Sequence, residues 1–220
     1  MVFTVEVQPF GAGKMIWLST DALRVGLANF GATISSVKIF HALKKQWIEV
    51  NCGFSHNPDE AEADTDYMGV TVGRCAGRVA NAKFTLDGIT YHTDKNMDVG
   101  HTCHGGVGAF HKKHWGYAVI QTHDRIGVKF NYTSPHMENG FPAELYSTVT
   151  YTVDRKSPNT LHTQFEACVT ESSPAEATPV NIFNHAYWNL NGVPERTVAA
   201  GSDAVWKQPL SVHNHWVRVP

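Results

Sequence analysis

Two stretches of the chain hold residue types that could do chemistry. The first is Val180-Asn181-Ile182-Phe183-Asn184-His185-Ala186-Tyr187-Trp188-Asn189-Leu190. Read as a strand, it puts Asn181, Phe183, His185, Tyr187 and Asn189 on one face, because successive strand side chains point to opposite sides. Val180, Ile182, Ala186 and Trp188 fall on the other face, with Asn184 among them. Aromatic plates, amides and an imidazole together suit a sugar: rings cover its apolar C–H face, and polar groups satisfy its hydroxyls. An imidazole with a pKa of about 6.5 also donates and recovers a proton at neutral pH. The same pattern describes a β-interior with a hydrogen-bonded core histidine, so this stretch alone leaves both readings open.

The second stretch runs from Asn96 to Trp115. It places Gly100, Gly105, Gly106 and Gly108 among His101, His104, His111 and His114, with little strand pattern. It reads as a structured loop, and loops held on rigid sheets often carry function. An ordinary long connection is the alternative.

Thirteen histidines raise the question of zinc. The close pairs are His101-x-x-His104, His111-x-x-His114 and His213-x-His215. None is a His-Glu-x-x-His motif, and no cysteine pair completes a ligand set. The expectation is no metal. His213 and His215 read as strand residues with both rings on one exposed side.

The elements that must position these residues are strands. Leu23, Val25 and Leu27 alternate with Arg24, Gly26 and Ala28. Phe84, Leu86, Ile89 and Tyr91 flank Asp87-Gly88, which favours a type I′ hairpin with Leu86 facing Ile89 and Phe84 facing Tyr91. Val128, Phe130 and Tyr132 share one parity, as do Leu145, Val149, Tyr151 and Val153. After a turn at Asp154–Asn159, so do Leu161, Phe165, Ala167 and Val169. Residues 59–64 form either a short acidic helix or a loop. No 3.6-residue apolar period lasts three turns. The expectation is one all-β domain over residues 1–220, antiparallel and sandwich-like.

Composition narrows the partners. The formal net charge is −2 and both signs are mixed along the chain, with no basic stripe for nucleic acid. No apolar run approaches the roughly 20 residues of a membrane helix. Cys52, Cys75, Cys103 and Cys168 are irregularly spaced and read as separate, reduced thiols. The N-terminus has an early Glu6 and no basic region, unlike a signal peptide. These features point to the cytoplasm.

The chemistry-bearing stretches also carry a family resemblance. Gly73-Arg74-Cys75-Ala76-Gly77-Arg78-Val79-Ala80-Asn81, then Lys83-Phe84-Thr85-Leu86-Asp87-Gly88-Ile89-Thr90-Tyr91, resembles the signature of the aldose 1-epimerase (galactose mutarotase) family. Cys103-His104-Gly105-Gly106, followed by Gly108-Ala109-Phe110 and Trp115, is similar to its His-Gly-Gly motif. Asn184-His185-Ala186-Tyr187-Trp188-Asn189-Leu190 resembles its Asn-His-x-Tyr-Phe-Asn-Leu motif, and Phe30-Gly31-Ala32-Thr33-Ile34 its early Gly-Ala strand. The resemblance implies a twisted antiparallel β-supersandwich that interconverts the α and β anomers of galactose, glucose and related aldoses without a cofactor. By position, Arg78 matches the substrate-binding arginine. His104 matches the histidine that hydrogen-bonds the sugar near its ring oxygen, with a catalytic part in stabilising charge. His185 matches the general acid.

The chain departs from the pattern in places. Gly77 stands where the family usually has Asn, Cys103 where it has Leu, and Trp188 where it has Phe, while Ala109 separates the Gly and Phe of the loop motif. The family's domain normally continues further and supplies an aspartate, a glutamine and the glutamate that acts as base. None of Glu138, Glu144, Glu166, Glu171, Glu176 or Glu195 matches that glutamate, so the chain reads as truncated. Two alternatives accompany this reading. A hexose-6-phosphate mutarotase would want a basic cluster for the phosphate, and none stands beside the motifs. A non-catalytic carbohydrate-binding module would bind sugar without exchanging its anomers.

Overall fold

Alternating apolar residues, punctuated by turns, build two antiparallel meanders that face each other. The computed structural model describes residues 2–193, 196–197, 205–206 and 215. The first sheet pairs β1 (Phe3–Phe10), β2 (Gly13–Thr20), β3 (Leu23–Ala28), β4 (Thr33–His41) and β5 (Gln46–Glu49) in chain order. The expected alternation in β3 breaks at Gly26. A bulge between Gly26 and Leu27 shifts the register against β4, and Val25 to Ala28 are all buried. The Trp17 ring lies against Gly26 closely enough that a Cβ would stand 2.8 Å from it. Close approach of a neighbour is one of the reasons a strand carries glycine.

Short pieces follow. They are β6 (Asn51–Cys52), α1 (Pro58–Ala63), β7 (Thr71–Val72), β8 (Arg78–Val79), β9 (Lys83–Leu86), β10 (Ile89–His92) and β11 (Thr102–Cys103). Residues 59–64 resolve in favour of a helix because its start is capped. The Asn57 side chain accepts from the Asp59 and Glu60 N–H groups, Pro58 occupies the first turn, and the acidic residues sit at the positive end of the helix. The β9–β10 hairpin has the expected register, Leu86 opposite Ile89 and Phe84 opposite Tyr91. Asp87 and Gly88 take φ of +52° and +78°, as a type I′ turn requires.

The second sheet pairs β12 (Gly116–Gln121), β13 (Arg125–Ser134), β14 (Leu145–Asp154) and β15 (Ser157–Val169), again in chain order. The expected turn at Asp154–Asn159 is shorter than its sequence suggested, since β15 already begins at Ser157. The Thr20 hydroxyl donates to the Pro158 carbonyl at 2.8 Å and draws that segment onto the first sheet. Leu161, Phe165 and Val169 pack partly buried against the core, whereas Ala167 is exposed.

Ile16, Leu18, Val25, Leu27 and Ile34 of the first sheet meet Ile126, Val128, Phe130, Val149 and Tyr151 of the second. Burial of this apolar face is the main favourable term of the fold. Tyr151 is fully buried, and its hydroxyl donates to the Ala32 carbonyl at 3.0 Å, tying one sheet to the other. The remaining strands are β16 (Phe183–Asn184), β17 (Tyr187–Trp188), β18 (Arg196–Thr197) and β19 (Val205–Trp206). The protein is thus all-β and antiparallel. Among the described residues no helix is long and apolar enough to cross a membrane.

Candidate active site

The stretch from Val180 to Leu190 is not the single strand its alternation suggests. β16 pairs with β7, β17 pairs with β6, and the chain changes partner at His185. There the His185 N–H donates to the Val70 carbonyl at 2.8 Å, and its own carbonyl accepts from Gly69 N–H at 3.0 Å. The parity nevertheless survives across the break. The ring of His185 stacks between Phe183, at 5.7 Å and 27°, and Tyr187, at 5.2 Å and 29°. Phe183 and Tyr187 are 38% and 39% exposed, so the stack lies on an open face.

The amides expected on that face do not join it. The Asn181 side chain donates to the Ala76 carbonyl, and Asn189 is buried, accepting from the Asn191 N–H. Asn184 points the other way. Its amide donates to the Gly69 carbonyl at 2.6 Å and to the Tyr151 hydroxyl at 3.1 Å. The strand is therefore an aromatic–imidazole stack in front and a backbone anchor behind.

The loop from Asn96 to Trp115 brings His104 to the same place. His104 follows β11, whose Cys103 lies opposite Arg78 of β8. His104 and the two glycines after it all have positive φ, 51°, 90° and 100°. A Cβ on Gly105 would collide with the Gly73 carbonyl, so the loop's His-Gly sequence is a packing requirement here. The His104 N–H donates to the Gly77 carbonyl at 2.9 Å, and the Gly77 N–H donates to His104 Nδ1 at 3.2 Å. Because Nδ1 accepts, the neutral ring carries its proton on Nε2. Burial, then the charges of His185 and Arg78, lower the His104 pKa. The His104 and His185 rings stand 5.2 Å apart at 89°.

Two arginines of one motif have opposite fates. Arg74 is buried, donating to the Ser134 hydroxyl and carbonyl, the Pro135 and Pro142 carbonyls and the Thr178 hydroxyl. Arg78, four residues later, is exposed on β8 with its charge felt at His104. Of the two, only Arg78 is exposed.

Tyr67 is not singled out by the sequence, and His111 is marked there only as one of the loop's histidines. Tyr67 has its ring 4.8 Å from His104, 4.7 Å from His111 and 6.0 Å from His185. His111 is buried behind it, and burial, then Lys112, His104 and Lys113, push its pKa down to about 4. Neither lies in a periodic segment that would have marked it.

Four of the described glutamates are committed elsewhere. Glu49 accepts from Ser36 and the Val37 and Asn51 N–H groups. Glu138 is held by Tyr132, Ser134 and Lys113, Glu144 by Thr170, and Glu166 pairs with Lys129. Glu195 and His213 lie outside the described residues. His215 is half-buried and in no strand, contrary to the exposed strand position expected for it. Of the close histidine pairs, His101 Nδ1 accepts from the Asn81 N–H and His114 packs on Phe30. Among the described residues no cluster of three His, Cys, Asp or Glu could hold a metal ion.

Two perpendicular histidines thus stand beside a ring stack on an open face of this antiparallel β-supersandwich. Residues 14–209 match the model of the aldose 1-epimerase family, and the chain belongs to that family. It is 34% identical to galactose mutarotase of Rattus norvegicus over 182 residues, which is 83% of this chain and 49% of the relative. Against galactose mutarotase of Homo sapiens it is 34% identical over 186 residues, 84% of this chain and 50% of that one. The solved GalM/aldose epimerase homologue from C. elegans superposes with a TM-score of 0.69 at 28% identity, covering 81% of this chain and 51% of the other. A galactose 1-epimerase from Lactobacillus acidophilus NCFM shares the fold, with a TM-score of 0.72 at 24% identity over 89% of this chain and 55% of that one. The chain spans about half the length of the curated relatives it matches.

Proposed function

We propose that this chain carries the acid and sugar-binding side of an aldose 1-epimerase site for a free aldose of the galactose or glucose type. Anomer exchange opens a hemiacetal. A base takes the proton of the anomeric hydroxyl while an acid protonates the ring oxygen as the C1–O5 bond breaks. Rotation about C1–C2 and reclosure then give the other anomer. His185 is the acid, an imidazole that can donate a proton and take it back. His104 Nε2–H donates to the ring-oxygen region and stabilises developing charge. Arg78 supplies several donors to sugar hydroxyls. Phe183 and Tyr187 cover the sugar's C–H face. The perpendicular His104–His185 pair carries this reading, because it offers one fixed hydrogen-bond donor and one proton carrier to the same few ångströms. The base is assigned to none of the described residues; Glu49, Glu138, Glu144 and Glu166 are engaged elsewhere. The cysteine spacing supports a cytoplasmic location.

Chemical rescue tests the proposal. Exchange between α- and β-galactose is followed by NMR magnetisation transfer, with acetate added as an external base. The expected result is exchange above the acetate-only rate that saturates with sugar and disappears in His185→Gln. Galactose binding with exchange at the acetate-only rate would overturn the epimerase reading and leave a carbohydrate-binding module.

A further inference from the structure

We propose that Tyr67 is a positioning residue that sets the relative orientation of His104 and His185, and that residues 64–70 are a strap built to hold it there. The inference rests on those two histidines being the working pair. The three rings close a triangle, with centroid separations of 4.8 Å for Tyr67–His104, 6.0 Å for Tyr67–His185 and 5.2 Å for His104–His185. A ring held on two sides by neighbouring rings has few ways to turn, and edge-on contacts between aromatic planes are directional. His111, buried at 4.7 Å on the far side, closes off the space into which Tyr67 could retreat.

The strap explains how Tyr67 stays put. Its backbone has φ of +60°, a region that bulky residues avoid unless their surroundings impose it. The surroundings here do. Both carboxylate oxygens of Asp64 accept backbone N–H groups flanking Tyr67, from Asp66 at 3.1 Å and from Met68 at 2.8 Å. The Asp64 carbonyl is in turn held by the Lys112 ammonium at 2.8 Å, on the loop that carries His104 and His111. The Asp66 carbonyl accepts from the Tyr187 hydroxyl at 3.0 Å. Gly69 and Val70, at the strap's other end, hold the His185 backbone on both its polar groups. One short segment is thus bonded to the His185 stretch by four hydrogen bonds, grips the His104 loop through Lys112, and carries the ring that packs against both imidazoles. Displacing catalytic groups by as little as an ångström costs about 10²-fold in rate, so such a fixture has a kinetic use.

The test has one readout tied to chemistry and one that is not. Tyr67→Leu removes the ring, Tyr67→Phe keeps it, and Asp64→Ala loosens the strap while leaving the ring. In Tyr67→Leu the acetate-rescued exchange rate at saturating galactose is expected to fall at least about tenfold, with Kd for galactose changed less than about threefold. Tyr67→Phe should stay within about twofold of the parent, and Asp64→Ala should fall between them. Independently of exchange, 15N imidazole spectra should show the His104 Nε2–H tautomer retained in Tyr67→Phe and mixed in Tyr67→Leu. Unchanged imidazole spectra and exchange in a folded Tyr67→Leu would overturn the proposal. So would equal damage from Phe and Leu, which would shift the role to the hydroxyl. If Tyr67→Leu fails to fold, Asp64→Ala decides: an unmoved His104 signal in that variant refutes the strap. If no variant exchanges anomers but the imidazole signals respond as expected, the epimerase reading fails and the positioning role stands.

Discussion

Gly77 and His104 exchange two hydrogen bonds, backbone N–H to ring nitrogen in one direction and backbone N–H to carbonyl in the other. A side-chain-free residue thereby fixes the tautomer of the histidine at the centre of the site. Gly77 has φ of +77°, and a Cβ built there meets nothing within 4 Å. Gly77→Ala should therefore cost only the backbone strain of an L-residue, about 1–2 kcal/mol in urea unfolding. Gly77→Asn should cost less, because Asn tolerates the left-handed region. Both should keep the Nε2–H tautomer of His104. A loss above about 3 kcal/mol, or a changed tautomer, would show that the bare position is filled by something else.

Arg74 and Arg78 should separate cleanly into fold and function. Removing the Arg74 guanidinium takes a donor from the buried Ser134 and Pro142 carbonyls, while the Pro135 carbonyl keeps the Glu138 N–H, and a buried unpaired acceptor costs about 1–3 kcal/mol. Arg74→Met is expected to lose at least about 3 kcal/mol of stability. Arg78→Ala, at an exposed position, should leave stability within about 0.5 kcal/mol and weaken galactose binding by about 1.5–3 kcal/mol. Urea titration beside calorimetric binding of galactose measures both. Unfolding of the Arg78 variant with undiminished affinity would make Arg78 a structural residue.

Much of the fold is legible in the sequence, and what is not has physical causes. Alternation located β13 and β14 because each has one face on the core and one away from it. Asp87-Gly88 located the hairpin because few other dipeptides take that turn. The β3 alternation misled at Gly26 because the bulge answers to Trp17, a contact made across the sheet. The stretch Val180–Leu190 kept its parity but lost its continuity, since the change of partner at His185 is dictated by Gly69 and Val70 far away in sequence. Of its two outer amides, Asn189 is buried and accepts from Asn191, and Asn181 donates to the Ala76 carbonyl. Tyr67 stayed hidden because nothing local marks a ring whose partners come from two other segments.

His111 predicts an acid-sensitive fold. Its native pKa is about 4, against about 6.5 for an unfolded histidine. Above about pH 6.5 neither state binds the proton, and the full stability is present. As pH falls from about 6.5 towards 4, the unfolded chain takes up a proton that the native ring refuses, so stability falls. The loss should approach roughly 3 kcal/mol at pH 4. The lowered pKa of His104 acts with the same sign. His111→Phe removes the titration and should flatten the pH dependence of urea unfolding between pH 7 and 4. An unchanged slope would mean that the native ring is protonated as readily as the unfolded one.

The ring stack should divide binding from proton transfer. His185 lies between Phe183 and Tyr187, so on the proposed reading the stack that covers the sugar also aims the acid. His185→Gln keeps a hydrogen-bonding amide but removes the proposed proton carrier. It should lower the acetate-rescued exchange rate at saturating galactose by about 10²–10⁴-fold, the usual worth of a positioned acid, with little change in Kd. Phe183→Ala removes one plate without touching the imidazole's protons, and should weaken binding by roughly 0.5–1.5 kcal/mol with a smaller change in the saturated rate. Tyr187→Ala should do more than Phe183→Ala, because it also frees the Asp66 carbonyl that its hydroxyl holds. Saturation curves of exchange against galactose separate the two effects. Near-normal exchange in His185→Gln would remove His185 as the acid, whereas a collapse of affinity in that variant alone would recast it as a binding residue.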